Sequence, residues 1–205
     1  VDTLCIGGGY NEDDSEIDLR SGQIRIHMHS HNGLAIGSFN GDALIDISDK
    51  CKLELTVSGI KVTGIGSCKG IATISSSADI AISCTGAQAV AIGSLEDGEG
   101  SIYIKSGKLM MKMRSAKNSA IGAIKGNMNT RVENADISID SEGDEITGIG
   151  DALGTGNVAI IDSAVTMKIL AANPKDIGTG SGDLKIVNST VSSLINNKVI
   201  THSNI

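Results

Sequence analysis

A four-residue motif with glycine at its third position recurs seven times along the chain and constrains the fold more than any other feature. Successive copies of this glycine are 30, 29, 27, 29, 28 and 28 residues apart. The motifs are Cys5-Ile6-Gly7-Gly8, Ala35-Ile36-Gly37-Ser38, Gly64-Ile65-Gly66-Ser67, Ala91-Ile92-Gly93-Ser94, Ala120-Ile121-Gly122-Ala123, Gly148-Ile149-Gly150-Asp151 and Asp176-Ile177-Gly178-Thr179. A repeat of this length over almost the whole chain predicts stacked copies of one structural unit.

Two further segments of each repeat alternate apolar and polar residues, as strands with one buried face do. The clearer series has the apolar members Ile24-Ile26-Met28, Leu53-Leu55-Val57, Ile80-Ile82-Cys84, Leu109-Met111-Met113, Ile137-Ile139 and Val165-Met167-Ile169. A unit of three short strands without helical periodicity buries its apolar face by stacking on its neighbours. We therefore predict an all-β fold, a single-stranded parallel β-helix or three-sided β-solenoid of about seven coils of about 28 residues, forming one domain over residues 1–205.

The corners and ends of the solenoid also have sequence signals. The motif glycine suits a corner with positive φ or a close backbone approach, and Ser21-Gly22, Ser106-Gly107 and Asn134-Ala135 are turn pairs between the other two strands. Residues 194–205 lose the repeat and are predicted to cap the last coil. The first coil has no evident cap, so we expect an upstream domain of a larger protein, or a second copy in a homodimer, to cover it.

Composition limits the partners. The chain has 17 Lys and Arg against 24 Asp and Glu, a net charge of −7, which disfavours nucleic acid and anionic membranes. No apolar run is long enough to cross a membrane, so no membrane insertion is expected. Aromatic residues are limited to Tyr10, Phe39 and Tyr103, so the core must be aliphatic.

The repeat resembles the Gly-rich Ile-Gly-Ser and Ile-Gly-Gly repeats of bacterial surface and secreted proteins with a pectate-lyase-like parallel β-solenoid. This resemblance implies a right-handed solenoid and a bacterial protein, and it suggests a cell-surface or secreted location. It brings no catalytic residue to this chain.

The four cysteines occupy separate positions of the repeat. Cys84 takes the place of Met28 and Val57, and Cys68 that of Phe39 and Leu95. Free cysteine packs as a small apolar residue, so we interpret all four as thiols of the core; two disulfides or a metal site are the alternatives. Reduced thiols favour the cytoplasm, whereas the resemblance suggests a cell-surface or secreted location, so localisation stays open between these two.

Three histidines, His27, His29 and His31, alternate along one predicted strand. If the strand continues through all three, their side chains share one outward face, with Glu54 on the next coil. Histidine and carboxylate are ligands of Zn²⁺ and Ni²⁺, so these four residues are the candidate metal ligands; a solvated polar ladder is the alternative.

Two charged regions suggest other ligands. Acidic turns at Asn11-Glu12-Asp13-Asp14-Ser15-Glu16, Asn40-Gly41-Asp42 and Glu96-Asp97-Gly98-Glu99 fall at the same corner of different coils and offer oxygen ligands for Ca²⁺. A basic patch offers an acidic polymer the side chains Lys105, Lys108, Lys112, Arg114, Lys117 and Lys125. The candidate ligand-binding residues lie within this patch or beside it, and are Lys105, Lys112, Arg114 and Tyr103. Solvated turns and a solubilising surface are the alternatives.

A catalytic centre needs converging nucleophiles, bases or paired carboxylates. The sequence has no such constellation. One strand face has only sparse charged residues, which are Asp18, Arg20, Asp46, Lys105 and Glu133. We therefore predict no catalytic residue and no required cofactor. The expected function is that of a non-enzymatic module for adhesion, ligand binding or scaffolding. The expected partner is a polysaccharide or another protein. The alternatives are a carbohydrate-active enzyme and an intracellular sensor or scaffold domain fused to a regulatory protein.

Overall fold

The computed structural model of the chain describes residues 2–8, 14–96 and 98–203. All its regular elements are strands. They are β1 Asp2–Gly8, β2 Ser15–Leu19, β3 Gly22–His29, β4 Asn32–Ser38, β5 Ala43–Ile47, β6 Cys51–Ser58, β7 Lys61–Ser67, β8 Ile71–Ser76, β9 Asp79–Ser94, β10 Gly98–Ile104, β11 Gly107–Ala123, β12 Gly126–Glu133, β13 Ala135–Asp151, β14 Val158–Ile161, β15 Ala164–Ile177, β16 Leu184–Val187, β17 Thr190–Ile195 and β18 Lys198–His202.

Equivalent strands of successive coils pair in parallel, which confirms the predicted β-solenoid. The small sheet has seven strands in the spatial order β16-β14-β12-β10-β8-β5-β2. The large sheet has eleven strands and forms the other two faces of each coil. We call these the motif face, which contains the seven glycine motifs, and the alternating face, which contains the clearer apolar series. A coil is numbered from its motif, so that Gly7 belongs to coil 1 and Gly178 to coil 7.

The core is one aliphatic column along the axis of the solenoid. Ladders of identical or similar side chains fill it, such as Ile36, Ile65, Ile92 and Ile121 on the motif face, all fully buried. The alternating face contributes every second residue and exposes those between, as the period of two requires. The predicted strand pattern is therefore confirmed.

The motif glycines are needed because successive backbones approach closely there. Gly66 has φ of +139°, and a Cβ added to it would lie 1.9 Å from the carbonyl oxygen of Gly93 on the next coil. Gly37 has the same relationship to Gly66, at 1.7 Å. Both the positive φ and the close approach predicted for this corner are confirmed.

Left-handed residues also form the corner between the small sheet and the alternating face. Gly22 and Gly107 have positive φ there, and Asn134, Asp162 and Asn188 take over the role in later coils with φ between 46° and 47°. Asparagine and aspartate tolerate this conformation better than other residues with a side chain. In coils 1 and 4 this corner is thus formed by glycine, and in coils 5, 6 and 7 by asparagine or aspartate.

The third corner differs from the prediction of three separate strands in each coil. In coils 1 and 2 the alternating strand ends before the next motif strand begins, at Ser30-His31 and at Gly59-Ile60. From coil 3 onward β9, β11, β13 and β15 run continuously through this corner, over 14 to 17 residues. The bend is gentle enough there for hydrogen bonding to the neighbouring coil to continue.

The two ends of the solenoid differ. At the C-terminal end, the chain turns at Asn196-Asn197, both with positive φ, and β18 returns antiparallel to β17. At the N-terminal end, Ile6, Leu19 and Ile24 are only partly buried, whereas their equivalents in the middle coils are buried. The difference arises because no coil of the described residues packs above them. Residues 204–205 of the predicted cap lie outside the described residues.

All four cysteines are free thiols. Cys51 and Cys84 are buried as predicted, and burial raises the pKa of Cys84 to about 12. Cys68 is partly buried, and desolvation raises its pKa to about 11. Cys5 is exposed, contrary to the prediction, because no coil of the described residues packs above coil 1.

Candidate ligand-binding face

A cluster of polar side chains surrounds Tyr103 on the outer face of the small sheet. Tyr103 on β10 is in register with Arg131 on β12, one coil further along. Lys105 and Glu133 follow these residues by two positions, so all four project from the same face of the sheet. We call Asp46, Tyr103, Lys105, Arg131 and Glu133 the Tyr103 cluster.

The side chains of this cluster hold one another in place. The Tyr103 hydroxyl donates a hydrogen bond to Glu133, and Arg131 forms an ion pair with the same carboxylate. The Lys105 Nζ and the Arg131 guanidinium carbon lie 5.6 and 5.7 Å from the centre of the Tyr103 ring, within the range of cation–π attraction. Lys105 Nζ also lies 3.9 Å from Asp46 Oδ1. The ring is therefore ordered by contacts on several sides.

These contacts reinforce the ordinary protonation states. The hydrogen bond to Glu133 raises the pKa of Tyr103, so the phenol keeps its proton. Tyr103 and then Arg131 lower the pKa of Glu133, so this group remains a carboxylate, while Glu133 raises the pKa of Arg131. A general acid or base works best with a pKa near the working pH, and these shifts move Tyr103, Glu133 and Arg131 away from neutrality.

Lys112 and Arg114 lie on the alternating face, away from the Tyr103 cluster. Lys112 is in register with Asp140 on coil 5, and Arg114 with Glu142. Arg114 Nη2 lies 2.8 Å from Asp140 Oδ2, and Arg114 Nε lies 3.4 Å from Glu142 Oε2. Lys112 and Arg114 thus face acids one coil away, which reduces the attraction of this part of the predicted basic patch for an acidic polymer.

The four candidate metal ligands do not come together. Strand β3 ends at His29, so the condition for a common face fails and His31 lies beyond the corner. His29 Nδ1 is hydrogen-bonded to Ser58 Oγ at 2.9 Å, and Arg25 Nε lies 3.0 Å from Glu54 Oε2. Within residues 2–8, 14–96 and 98–203, no three His, Cys, Asp or Glu side chains are grouped to hold a metal ion.

The acidic turns link coils where they are described. Asp14 Oδ1 accepts a hydrogen bond from the backbone N–H of Asp42, and Asp42 Oδ1 accepts one from Ile71, both at 2.9 Å. Glu96 forms ion pairs with Lys61 and Lys69. Asn11, Glu12, Asp13 and Asp97 lie outside the described residues. Asp14, Asp42 and Glu96 thus each have a partner within the chain.

Arg131 is the one member of the Tyr103 cluster that sequence reasoning did not single out. Its signal was its position 28 residues after Tyr103, the length of one coil. Comparison of the chain with protein-family models, curated proteins and solved structures gives no match. The described residues contain no helix long and apolar enough to span a membrane.

Proposed function

We propose that the chain is a non-enzymatic ligand-binding module whose small-sheet face holds a polysaccharide. The observation that supports this proposal is the Tyr103 ring on an outward strand face, with the cationic groups of Lys105 and Arg131 at 5.6 and 5.7 Å from its centre. Of the two aromatic residues described, Phe39 is buried and Tyr103 faces outward. An aromatic ring bordered by charged groups offers a sugar an apolar platform together with hydrogen-bond donors and acceptors.

The chemistry of the cluster favours a polar and uncharged, or weakly charged, ligand. Two acids, Asp46 and Glu133, balance the two bases Lys105 and Arg131, so the face has no strong charge of either sign. Asp46, Lys105 and Arg131 are each about half exposed on their side chains, at 51%, 45% and 52%, and are accessible to a ligand. A module of this kind, in a surface protein like those that the repeat resembles, would serve in adhesion.

A carbohydrate-active enzyme is the second candidate, since Tyr103, Arg131 and Glu133 are in mutual contact and such groups can act on a sugar chain. We prefer the binding module because the Glu133 carboxylate is already engaged by the Tyr103 hydroxyl and by Arg131. An intracellular scaffold is the third interpretation and predicts no glycan ligand at all.

The test is binding of the purified chain to a broad array of glycans and polysaccharides, with the supernatant assayed for reducing and unsaturated sugar ends. Selective binding without products is the expected result. Release of such products would establish the enzyme, and absence of binding across the array would contradict the proposal and favour the scaffold.

A further inference from the structure

The outer side of the motif face carries a second, smaller apolar layer. In coils 2 to 5 the residue that follows the motif folds back over the motif strand. Val90, Leu95 and Ile124 form a buried cluster separate from the main core, and Leu34 and Phe39 are likewise buried outside that core. This layer shields the motif strands from water on their outer side.

The layer stops at coil 6 because a large residue is replaced by alanine. The backbone N–H groups of Cys68, Leu95 and Ile124 each bond to the carbonyl oxygen of the last motif residue one coil earlier. Ala152 makes the same bond, to Ala123, at 3.0 Å. Ala152 therefore occupies the position of the covering side chain but is too small to fill it, and the neighbouring Leu153 is 73% exposed.

A groove of about 480 Å³ lies where the covering side chain is missing. Its apolar lining includes Ile124, Ile146, Ala152 and Pro174, and its polar lining includes Lys117, Lys125, Lys175 and Glu145. This volume falls within the range of about 300 to 1,000 Å³ that is usual for small-molecule sites.

The charges around the groove favour an anion. Three ammonium groups face one carboxylate, Glu145, whose Oε2 lies 3.0 Å from Lys117 Nζ. The ammonium of Lys175 is held at the groove because it donates a hydrogen bond to the carbonyl oxygen of Ala152, at 3.1 Å. Two of its three protons remain for a ligand. This local excess of positive charge contrasts with the net charge of −7 for the chain.

We propose that this groove binds a small amphipathic carboxylate. The apolar part of the ligand fills the space left by Ala152, against Ile124, Ile146 and Pro174. The carboxylate is bound at the rim by Lys125 and Lys175. This site is on a different face from the Tyr103 cluster and does not depend on the function proposed for that cluster.

Calorimetric titration with octanoate, below its micellar concentration, tests the site, with octanol as the neutral probe of equal chain length. Octanoate is expected to bind about tenfold or more tightly than octanol, because a charge-assisted hydrogen bond is lost in the alcohol. Ala152→Leu restores the covering side chain and is expected to abolish binding. Ala159→Leu, an alanine on the outer face of the small sheet, is the matched control and should bind as the wild type does.

A second variant keeps the test valid if Ala152→Leu does not fold. Lys125→Met is expected to weaken octanoate binding about tenfold and to leave octanol binding unchanged. Tyr103→Ala should not affect either probe. Equal affinity for octanoate and octanol, absence of octanoate binding, or undiminished binding by a folded Ala152→Leu variant would each overturn the proposal.

Discussion

Arg114 on coil 4 lies beside Asp140 on coil 5, with 2.8 Å between Nη2 and Oδ2. The register of these two coils places Arg114 opposite Glu142, Lys112 opposite Asp140 and Lys108 opposite Asp136, so Asp140 is the diagonal neighbour of Arg114. Opposite charges directly across a strand pair stabilise that pairing, and like charges oppose it. A slip of one residue between these coils would also turn apolar side chains outward. This ladder of charged pairs therefore supports the register that the buried apolar side chains set.

Reversal of one charge in this ladder should lower stability. Arg114→Glu places a carboxylate beside Asp140 and Glu142, and we expect the free energy of unfolding to fall by about 1 kcal/mol at low salt, since exposed pairs contribute at most about this much. Urea denaturation measures the change. The double variant Arg114→Glu, Glu142→Arg should recover part of the loss, and 1 M NaCl should reduce it. An Arg114→Glu variant as stable as the wild type at low salt would show that the ladder is energetically neutral.

Alanine at a motif glycine should be far more costly than alanine at an exposed corner glycine. In Gly66→Ala the new Cβ would lie 1.9 Å from the Gly93 carbonyl oxygen, so the coils must separate. Gly22 has φ of +118° but no atom within 4 Å of an added Cβ, so Gly22→Ala introduces strain alone. We expect a loss of about 1 to 2 kcal/mol for Gly22→Ala and more than about 3 kcal/mol for Gly66→Ala. Equal losses in urea denaturation would contradict the close approach.

Asp151 should make stability depend on pH. It replaces the serine found at this motif position in Ser38, Ser67 and Ser94, is fully buried, and accepts backbone hydrogen bonds from Ala123 and Met128. Desolvation raises its pKa from 3.8 to about 6. The folded state therefore holds the proton more tightly than the unfolded state. Stability due to this group is greatest below pH 3.8, falls as the pH rises to about 6, and is constant above that.

The size of this effect is about 3 kcal/mol at most, for a shift of about two pKa units. Asp151→Ser, the residue of the other coils, removes the titrating group. We compare the unfolding free energies of the wild type and Asp151→Ser between pH 4 and pH 7. As the pH rises, the wild type should lose stability relative to the variant. A difference that is independent of pH would mean that the carboxyl group titrates normally.

Thiol labelling should distinguish the cysteines by depth. Cys84 is fully buried with a pKa raised to about 12, and Cys5 is exposed. With a disulfide reagent at pH 8, we expect Cys5 to react first and Cys84 only on unfolding. Mass spectrometry of the labelled peptides identifies the order. Labelling of Cys84 at the rate of Cys5 would place the alternating face of coil 3 outside the core.

The architecture was predictable because its determinants are local and repeated. The motif glycine and the alternating apolar residues recur in every coil, and the positive-φ corner at Asn134 has equivalents in coils 1, 4, 6 and 7. The Tyr103 cluster and the neutralisation of Lys112 and Arg114 also had a sequence signal, because Arg131, Asp140 and Glu142 follow their partners by 28 residues. This signal becomes useful only once the register of the coils is known.

Other features depend on three-dimensional detail that the repeat does not encode. The end of β3 at His29 separates His31 from the other histidines, and nothing in the alternation of residues marks that end. The groove at Ala152 arises because alanine takes the position that Phe39, Leu95 and Ile124 occupy in coils 2, 4 and 5, just after the motif strand. Both are local departures from the average coil.

Calorimetric titration of the tightest-binding polysaccharide from the array, into the wild type and into Tyr103→Ala, tests the proposed function most directly. Met110→Ala is the matched control, since Met110 is 51% exposed on the alternating face. Loss of a stacking platform is expected to weaken binding by Tyr103→Ala about tenfold or more, whereas Met110→Ala should bind as the wild type does. Equal affinity of Tyr103→Ala and the wild type would contradict the assignment of the ligand to the Tyr103 cluster.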